Sequence, residues 1–263
     1  MTNSNIALDV RDLSCGYGQT KIIDKASFKV HTGDFACIIG TNGCGKTTLL
    51  KTILGLLPSL EGSAFINDQD ICALEPAQRA KLLAYIPQAH TPPFPYSVSD
   101  VVLMGRTPHI GNFSRISHED KKIVWDALCL LGIEHLAQSA YTQLSGGQQQ
   151  LCLIARAVAQ DAQVLIMDEP TANLDFGNQQ MVLSRMRQLS ASGATVLMVT
   201  HDPHHALYCA NKCIVVKDGS IKKTGTPDTI ITKETLEDIY HTPIDVQPVR
   251  TSDNSIHRVC IPL

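Results

Sequence analysis

Short apolar runs bounded by polar or turn residues recur along the chain. They include Phe35-Ala36-Cys37-Ile38-Ile39, Ala84-Tyr85-Ile86, Val164-Leu165-Ile166-Met167 and Val196-Leu197-Met198-Val199. A run that is apolar at every position predicts a strand covered on both faces, the usual place of parallel strands. Residues 6–13 instead alternate apolar and polar, which predicts a half-exposed strand. Residues 21–30 and Ser63-Ala64-Phe65-Ile66 predict further strands. Residues 213–221 read as a hairpin around Asp218-Gly219.

Helical spacing appears between these strands. Leu49, Leu50, Ile53, Leu54 and Leu57 share one helix face until Pro58. Between 97 and 143 the pattern is helical throughout. Ser97-Val98-Ser99-Asp100 and Ser117-His118-Glu119-Asp120 open helices as capping boxes. The second carries Ile123, Val124, Ala127, Leu128 and Leu131 on one face and closes at Gly132. The expectation is an all-helical insert over about 89–160, entered through the proline-rich Thr91-Pro92-Pro93-Phe94-Pro95-Tyr96, inside a main domain of residues 6–240. Residues 232–240 predict a short capped helix. The tail over 241–263 alternates weakly around Ser252-Asp253-Asn254, which predicts a small terminal hairpin.

Candidate chemistry falls at the ends of the apolar runs. Gly40-Thr41-Asn42-Gly43-Cys44-Gly45-Lys46-Thr47-Thr48 follows the first and precedes the first helix. It fits G-x-x-x-x-G-K-[ST], a loop whose glycines let successive N–H groups face phosphate oxygens. Lys46 is then placed to reach β- and γ-phosphates, and the Thr47 hydroxyl to take Mg²⁺. A helix starting near Lys46 adds its positive end. Cys44, beside Lys46 and a helix start, is expected to have a lowered thiol pKa. Asp168-Glu169 closes another run, where one carboxylate can hold Mg²⁺ through water and the next can polarise an attacking water. His201 follows the strand that ends at Thr200; it reads equally as a γ-phosphate donor or as a histidine bonded to a loop carbonyl. Gln88 follows Ala84-Tyr85-Ile86 and Pro87, and can orient a water or a Mg²⁺ ligand, although a loop glutamine alone carries no signal. Leu144-Ser145-Gly146-Gly147-Gln148 is either a second anion-binding helix start or a simple cap, with the helix beginning near Gln148. Tyr17, between Gly16 and Gly18, is either a base-stacking aromatic or an ordinary turn residue.

Composition narrows the setting. The 263 residues are 44% hydrophobic with a net charge of -3, so a sizeable core is expected and no basic nucleic-acid surface. No window reaches about 18 consecutive apolar residues, so no membrane span is expected. The first nine residues lack a basic region followed by an apolar stretch, so no secretory signal is expected either. The nine cysteines are odd in number and scattered, as suits reduced thiols used as small hydrophobes. Cys209 and Cys213 lie four apart near His201, His204 and His205, which leaves a metal site open without zinc-finger spacing.

The order of phosphate loop, Gln88, LSGGQ and Asp168-Glu169, with His201 after them, closely resembles the ATP-binding-cassette (ABC) ATPases over residues 6–240. That resemblance implies an α/β fold: a phosphate-loop NTPase core of mixed sheet flanked by helices, an antiparallel β subdomain and an all-helical insert. It implies ATP and Mg²⁺ as ligands. It also gives each motif a role: Tyr17 stacks on adenine, residues 40–48 hold phosphates, and Gln88 senses Mg²⁺ and couples to a transmembrane partner. Ser145, Gly146, Gly147 and Gln148 complete the site of another copy, Asp168 holds Mg²⁺, Glu169 is the catalytic base, Asp175 meets the other subunit and His201 is the switch histidine. Thr41 stands where many relatives have proline, and Gln149 where a basic or acidic residue is commoner.

Ser99-Asp100-Val101-Val102-Leu103-Met104-Gly105-Arg106-Thr107-Pro108-His109 is similar, more narrowly, to importer ATPases for iron-siderophores, haem, cobalamin and, in some members, molybdate or tungstate. This implies a head-to-tail homodimer docked through residues 88–109 on permease subunits at the inner face of the plasma membrane, with an external binding protein acting indirectly. Two alternatives remain: a soluble cassette of another process such as iron–sulfur cluster assembly, and a mononucleotide kinase or GTPase, which leaves LSGGQ unexplained.

Overall fold

The computed structural model describes residues 6–88, 95–110, 115–252, 254 and 256–263. In chain order the strands and helices begin with β1 (Ile6–Tyr17), β2 (Thr20–His31), β3 (Phe35–Ile39), α1 (Lys46–Ile53), β4 (Glu61–Ile66), β5 (Gln69–Asp70), α2 (Pro76–Leu82) and β6 (Leu83–Ile86). There follow α3 (Val98–Leu103), α4 (His118–Leu131), α5 (Gly146–Ala159), β7 (Val164–Asp168), α6 (Phe176–Ala191), β8 (Val196–Thr200) and α7 (Pro203–Cys209). The chain closes with β9 (Lys212–Lys217), β10 (Ser220–Gly225), α8 (Pro227–Ile230), α9 (Lys233–Tyr240), β11 (Ile244–Arg250) and β12 (Ile256–Pro262).

Among the described residues the central sheet has six strands in the order β10-β9-β3-β8-β7-β6. β9, β3, β8, β7 and β6 run parallel, and β10 closes one edge antiparallel to β9 through the Asp218-Gly219 turn. Both turn residues have positive φ, 46° and 68°, as a two-residue hairpin requires. A second, antiparallel sheet has the order β2-β1-β4-β5. The fold is therefore the mixed α/β core with a separate antiparallel sheet that the motifs implied. β1 runs on to Tyr17, so this tyrosine ends a strand rather than sitting in a turn.

Alternation along the parallel strands divides the core in two. Phe35, Cys37 and Ile39 of β3 pack on one side with Met167, Met198 and the apolar faces of α3, α4, α5 and α6. Ala36 and Ile38 pack on the other with Ile166, Leu197, Leu49, Leu50 and the antiparallel sheet. Every residue of β3, β7 and β8 is buried, so the all-apolar runs reflect a sheet covered on both faces.

The segment between β6 and β7 contributes α3, α4, α5 and short 3₁₀ turns. Both capping boxes form: Ser97 accepts from Asp100 N–H, and Ser117 from Asp120 N–H. Asp120 has a second partner. Buried Arg106 donates from Nε to Asp120 Oδ1 at 3.1 Å, and from a terminal nitrogen to the Ala159 carbonyl at 2.9 Å. One guanidinium thus ties the turn after α3, the start of α4 and the end of α5. The Ser117 hydroxyl and amide, then Arg106, hold the Asp120 carboxyl down to about 2. Residues 91–94, most of the proline-rich stretch, and Asp253 and Ser255 of the expected tail hairpin lie outside the described residues. β11 and β12 pair antiparallel from Ile244–Pro262 to Arg250–Ile256.

Candidate functional site

β3 delivers the phosphate loop at its C-terminal end, where ligands bind in parallel α/β sheets. Gly45 caps α1 with φ 103°, and a Cβ there would meet Ile23 Cδ1 at 2.7 Å. Only glycine suits that position. No side chain caps α1, so its first amides face the loop unclaimed by a cap. Lys46 is buried, and its ammonium donates to the Gly40 and Thr41 carbonyls at 2.8 and 2.7 Å. Three protons are available on an ammonium, so a donor remains for a phosphate.

The neighbouring strands bring the other groups to the same rim. The Thr47 hydroxyl donates to Asp168 Oδ1 at 3.2 Å, joining the loop to the tip of β7. Burial pushes the Asp168 carboxyl up, and the Thr47 hydrogen bond opposes it. Asn42, Gly43, Lys46, Thr47, Gln88 and Glu169 line one cleft of about 320 Å³. Glu169 has φ 46°, an uncommon conformation for a residue with a long side chain. Its amide donates to the Val199 carbonyl at 3.0 Å, so the last residue of the strand pairing also turns the chain. Local strain of this kind costs on the order of 1–3 kcal/mol and is maintained by surrounding structure. Here it sets the Glu169 carboxylate 3.2 Å from His201 Nδ1, which arrives from the end of β8. The His201 ring thus meets a carboxylate, which neither of its two readings named, and His201 is not among the residues that line the cleft.

The second glycine turn is built differently. α5 begins at Gly146, two residues earlier than the sequence pattern suggests. Ser145 accepts from Gln148 N–H at 3.3 Å, and Gln148 Oε1 accepts from Ser145 N–H at 3.0 Å. The turn lies close to α6: a Cβ on Gly147 would meet Asn178 Oδ1 at 2.3 Å. None of Ser145, Gly146, Gly147 or Gln148 lines the phosphate-loop cleft. Asp175 caps α6 by accepting from Asn178 N–H at 2.8 Å. Tyr17, half exposed, also lies outside the cleft lining, as do Gly40, Thr41 and Cys44.

One expectation, the lowered Cys44 thiol, needs correction, and the metal site left open near Cys209 does not form. Burial pushes the Cys44 thiol up, and nearby Lys46 offsets this only in part. The loop shields the sulfur more than the helix start activates it. The histidines near Cys209 and Cys213 do not converge on a metal. His204 and His205 both face Asp202, and the Cys209 thiol donates to the Leu183 carbonyl. Among the described residues no group of three or more His, Cys, Asp or Glu side chains is placed to hold an ion.

Some site residues escaped the sequence reading. Tyr85 on β6 lies beside Asp168, and burial together with that carboxylate pushes its phenol up to about 12. Gln149 donates from Nε2 to the Tyr141 and Leu144 carbonyls, both at 3.3 Å, and braces the turn before α5. A primary amide suits two carbonyl acceptors, which accounts for glutamine where a charged residue is commoner. The signal was available: a loop that exposes carbonyls needs donors, and Gln149 is one turn away.

The sequence profile of the ABC transporter family matches residues 23–172. The chain is 35% identical over 252 residues to the molybdate import ATP-binding protein MolC of Haemophilus influenzae, covering 95% of this chain and 94% of the relative. It is 34% identical to the iron(3+)-hydroxamate import ATP-binding protein FhuC of Bacillus subtilis, covering 97% and 94%. Among solved structures, a metal-chelate type ABC transporter in an inward-facing conformation superposes with a TM-score of 0.87 at 34% identity, covering 98% of each chain.

Proposed function

This chain belongs to the ABC transporter family of ATP-binding proteins, whose cassettes hydrolyse ATP to power transport, and on that premise we propose that it energises import of a metal chelate or metal oxyanion. The observation that carries the proposal is the convergence of Lys46, Thr47, Gln88 and Glu169 on one cleft, with Asp168 bonded to Thr47 behind it. Relatives named for molybdate and for iron(3+)-hydroxamate import support the cargo class.

The roles follow from position. Loop amides and Lys46 hold the phosphates of ATP. Glu169 accepts a proton from the attacking water, and His201 holds that carboxylate and meets the γ-phosphate. The donor set suits Mg²⁺: a hydroxyl and a buried carboxylate 3.2 Å apart, all oxygen ligands, with the Gln88 amide beside them. Thr47, Asp168 and Gln88 would hold the ion, which would supply charge neutralisation for the phosphates. Tyr17 is assigned to the adenine.

The turn before α5 has no partner in its own cleft. We assign it to a second copy, arranged head to tail, where Ser145, Gly146 and Gly147 cover the outer face of the γ-phosphate. No described helix is long and apolar enough to cross a membrane, so coupling requires permease subunits, met through the segment that starts at Gln88. An external binding protein then supplies cargo from the far side.

Uptake by the chain reconstituted with its permease in vesicles tests this reading. ATP-dependent accumulation of an iron chelate or molybdate is expected. Gln88→Ala should keep ATP binding while transport per ATP hydrolysed falls; normal transport by that variant rejects the coupling role.

A further inference from the structure

His201 is held from behind by a part of the chain that the reaction does not otherwise involve. Its ring is exposed, with Nδ1 3.2 Å from Glu169 Oε1. Its carbonyl accepts the Tyr240 hydroxyl at 2.7 Å, across 39 positions of sequence. Tyr240 is the last residue of α9, directly before the β11–β12 hairpin. The first turn of α7, just after the loop that carries His201, has a second tether. The Cys260 amide of β12 donates to His204 Nε2 at 3.0 Å, while His204 Nδ1 faces Asp202 Oδ1 at 3.0 Å. The hairpin is itself secured to the α8–α9 region, because Arg258 donates to the Asp228 and Ile231 carbonyls at 2.7 Å each.

The loop from Thr200 to Asp202 is already constrained at both ends. Thr200 ends β8 and pairs with Ile39, and Asp202 caps α7 by accepting from His204 N–H. The Asp202 amide donates to Thr200 Oγ1 at 3.1 Å. Of the peptide between His201 and Asp202, these bonds hold the N–H and leave the carbonyl, on its opposite side, to Tyr240. Rotation of that peptide changes ψ of His201 and with it the backbone that carries the imidazole. A donor on that carbonyl stops the rotation.

We propose that Tyr240 is a positioning residue for ATP hydrolysis: its hydroxyl fixes the His201 peptide so that the imidazole stays on the Glu169 carboxylate. This rests on the roles given above to Glu169 and His201. Burial pushes the Tyr240 phenol well above its ordinary range, so the hydroxyl keeps its proton and remains a donor. Tyr240 does not line the phosphate-loop cleft; it acts through the loop. The C-terminal hairpin then has a mechanical part to play, as the support on which that helix end rests.

Tyr240→Phe tests the proposal on the full chain, because it removes one oxygen and keeps the ring. Steady-state ATP hydrolysis should show kcat lowered about threefold to tenfold, the factor one neutral hydrogen bond supplies, with KM for ATP within about twofold of wild type. Thermal unfolding, followed in parallel, should move little. A wild-type kcat overturns the proposal. So does a loss of kcat matched by a rise in KM, or one that vanishes well below the unfolding transition, since either marks a structural bond only. Glu169→Gln and His201→Ala, assayed alongside, separate the two layers. If both abolish turnover while Tyr240→Phe is normal, only the positioning role falls. If both variants still turn over normally, the roles of Glu169 and His201 fall, and the role of Tyr240 with them.

Discussion

Two glycine-rich turns lead into helices in this chain, and they are built on opposite plans. The turn before α1 has no side-chain cap, encloses a buried ammonium and sits among Asp168, Glu169 and Gln88. The turn before α5 caps itself, through the reciprocal Ser145–Gln148 bonds and the Gln149 brace, with neutral groups only. The first leaves its donors for a ligand and surrounds them with charge. The second is a rigid, neutral presentation of a helix end. Phosphoryl transfer needs positioning and charge stabilisation together. Each turn supplies one of these well, which is the physical argument for joining them across two copies.

The sharpest way to break the comparison is to remove the charge from the first plan. Glu169→Gln should lower turnover at least about a hundredfold, as expected for loss of a general base, while ATP binding persists. ATP should then hold the two copies together, visible as a dimer by light scattering. Unchanged hydrolysis would falsify the base assignment.

Mixing two inactive variants tests whether the plans belong to one site. Lys46→Ala disables the first turn and Gly146→Asp the second. In a head-to-tail dimer of the two, one site carries both lesions and the other carries none. If single intact sites turn over, random mixing should restore about a quarter of wild-type activity. No recovery with demonstrated heterodimer formation argues that both turns serve the same copy.

A smaller effect separates the surroundings of the turns by pH. Asp120 anchors the helical region that carries α5, through Ser117 and Arg106. Its carboxyl lies at about 2 in the folded chain against an ordinary 3.8. A depressed folded-state pKa stabilises above the unfolded value and ceases to as pH falls through the folded one. Stability should therefore decline between pH about 4 and about 2, and Asp120→Asn should flatten that part of the profile of thermal midpoint against pH. An unaltered slope in the variant would show that other carboxylates dominate there.

What the sequence disclosed is what is local. The strand before the phosphate loop, the carboxylates after β7, and the Ser97 and Ser117 caps are all written within a few adjacent residues. Each has a geometric meaning that distant structure does not overrule. Asp168 meeting Thr47 was legible too, because parallel strands present their C-terminal ends together. The Tyr85 contact with Asp168, the Arg106 tie across three helices and the Tyr240 bond to His201 were not. Each joins lone residues far apart in sequence, and nothing beside Tyr240 in the chain differs from an ordinary helix end. Cys44 failed for another reason: burial competed with a nearby cation, and the sequence shows the cation but not the burial.

The order of the central sheet has a consequence for how such a chain can change over time. β3, β8, β7 and β6 are neighbours, and they deliver in that order the phosphate loop, His201, Glu169 and Gln88. Adjacent strands sit about 4.8 Å apart whatever lies between them in sequence. The spacing of the reactive groups is thus inherited from backbone pairing and not from the length of the connections. The stretch between Gln88 and the turn before α5 can lengthen, shorten or take on a new surface without altering the strand spacing at the rim. Change can in this way collect in α3 and α4 while the distances between the reactive groups stay as the paired backbones set them.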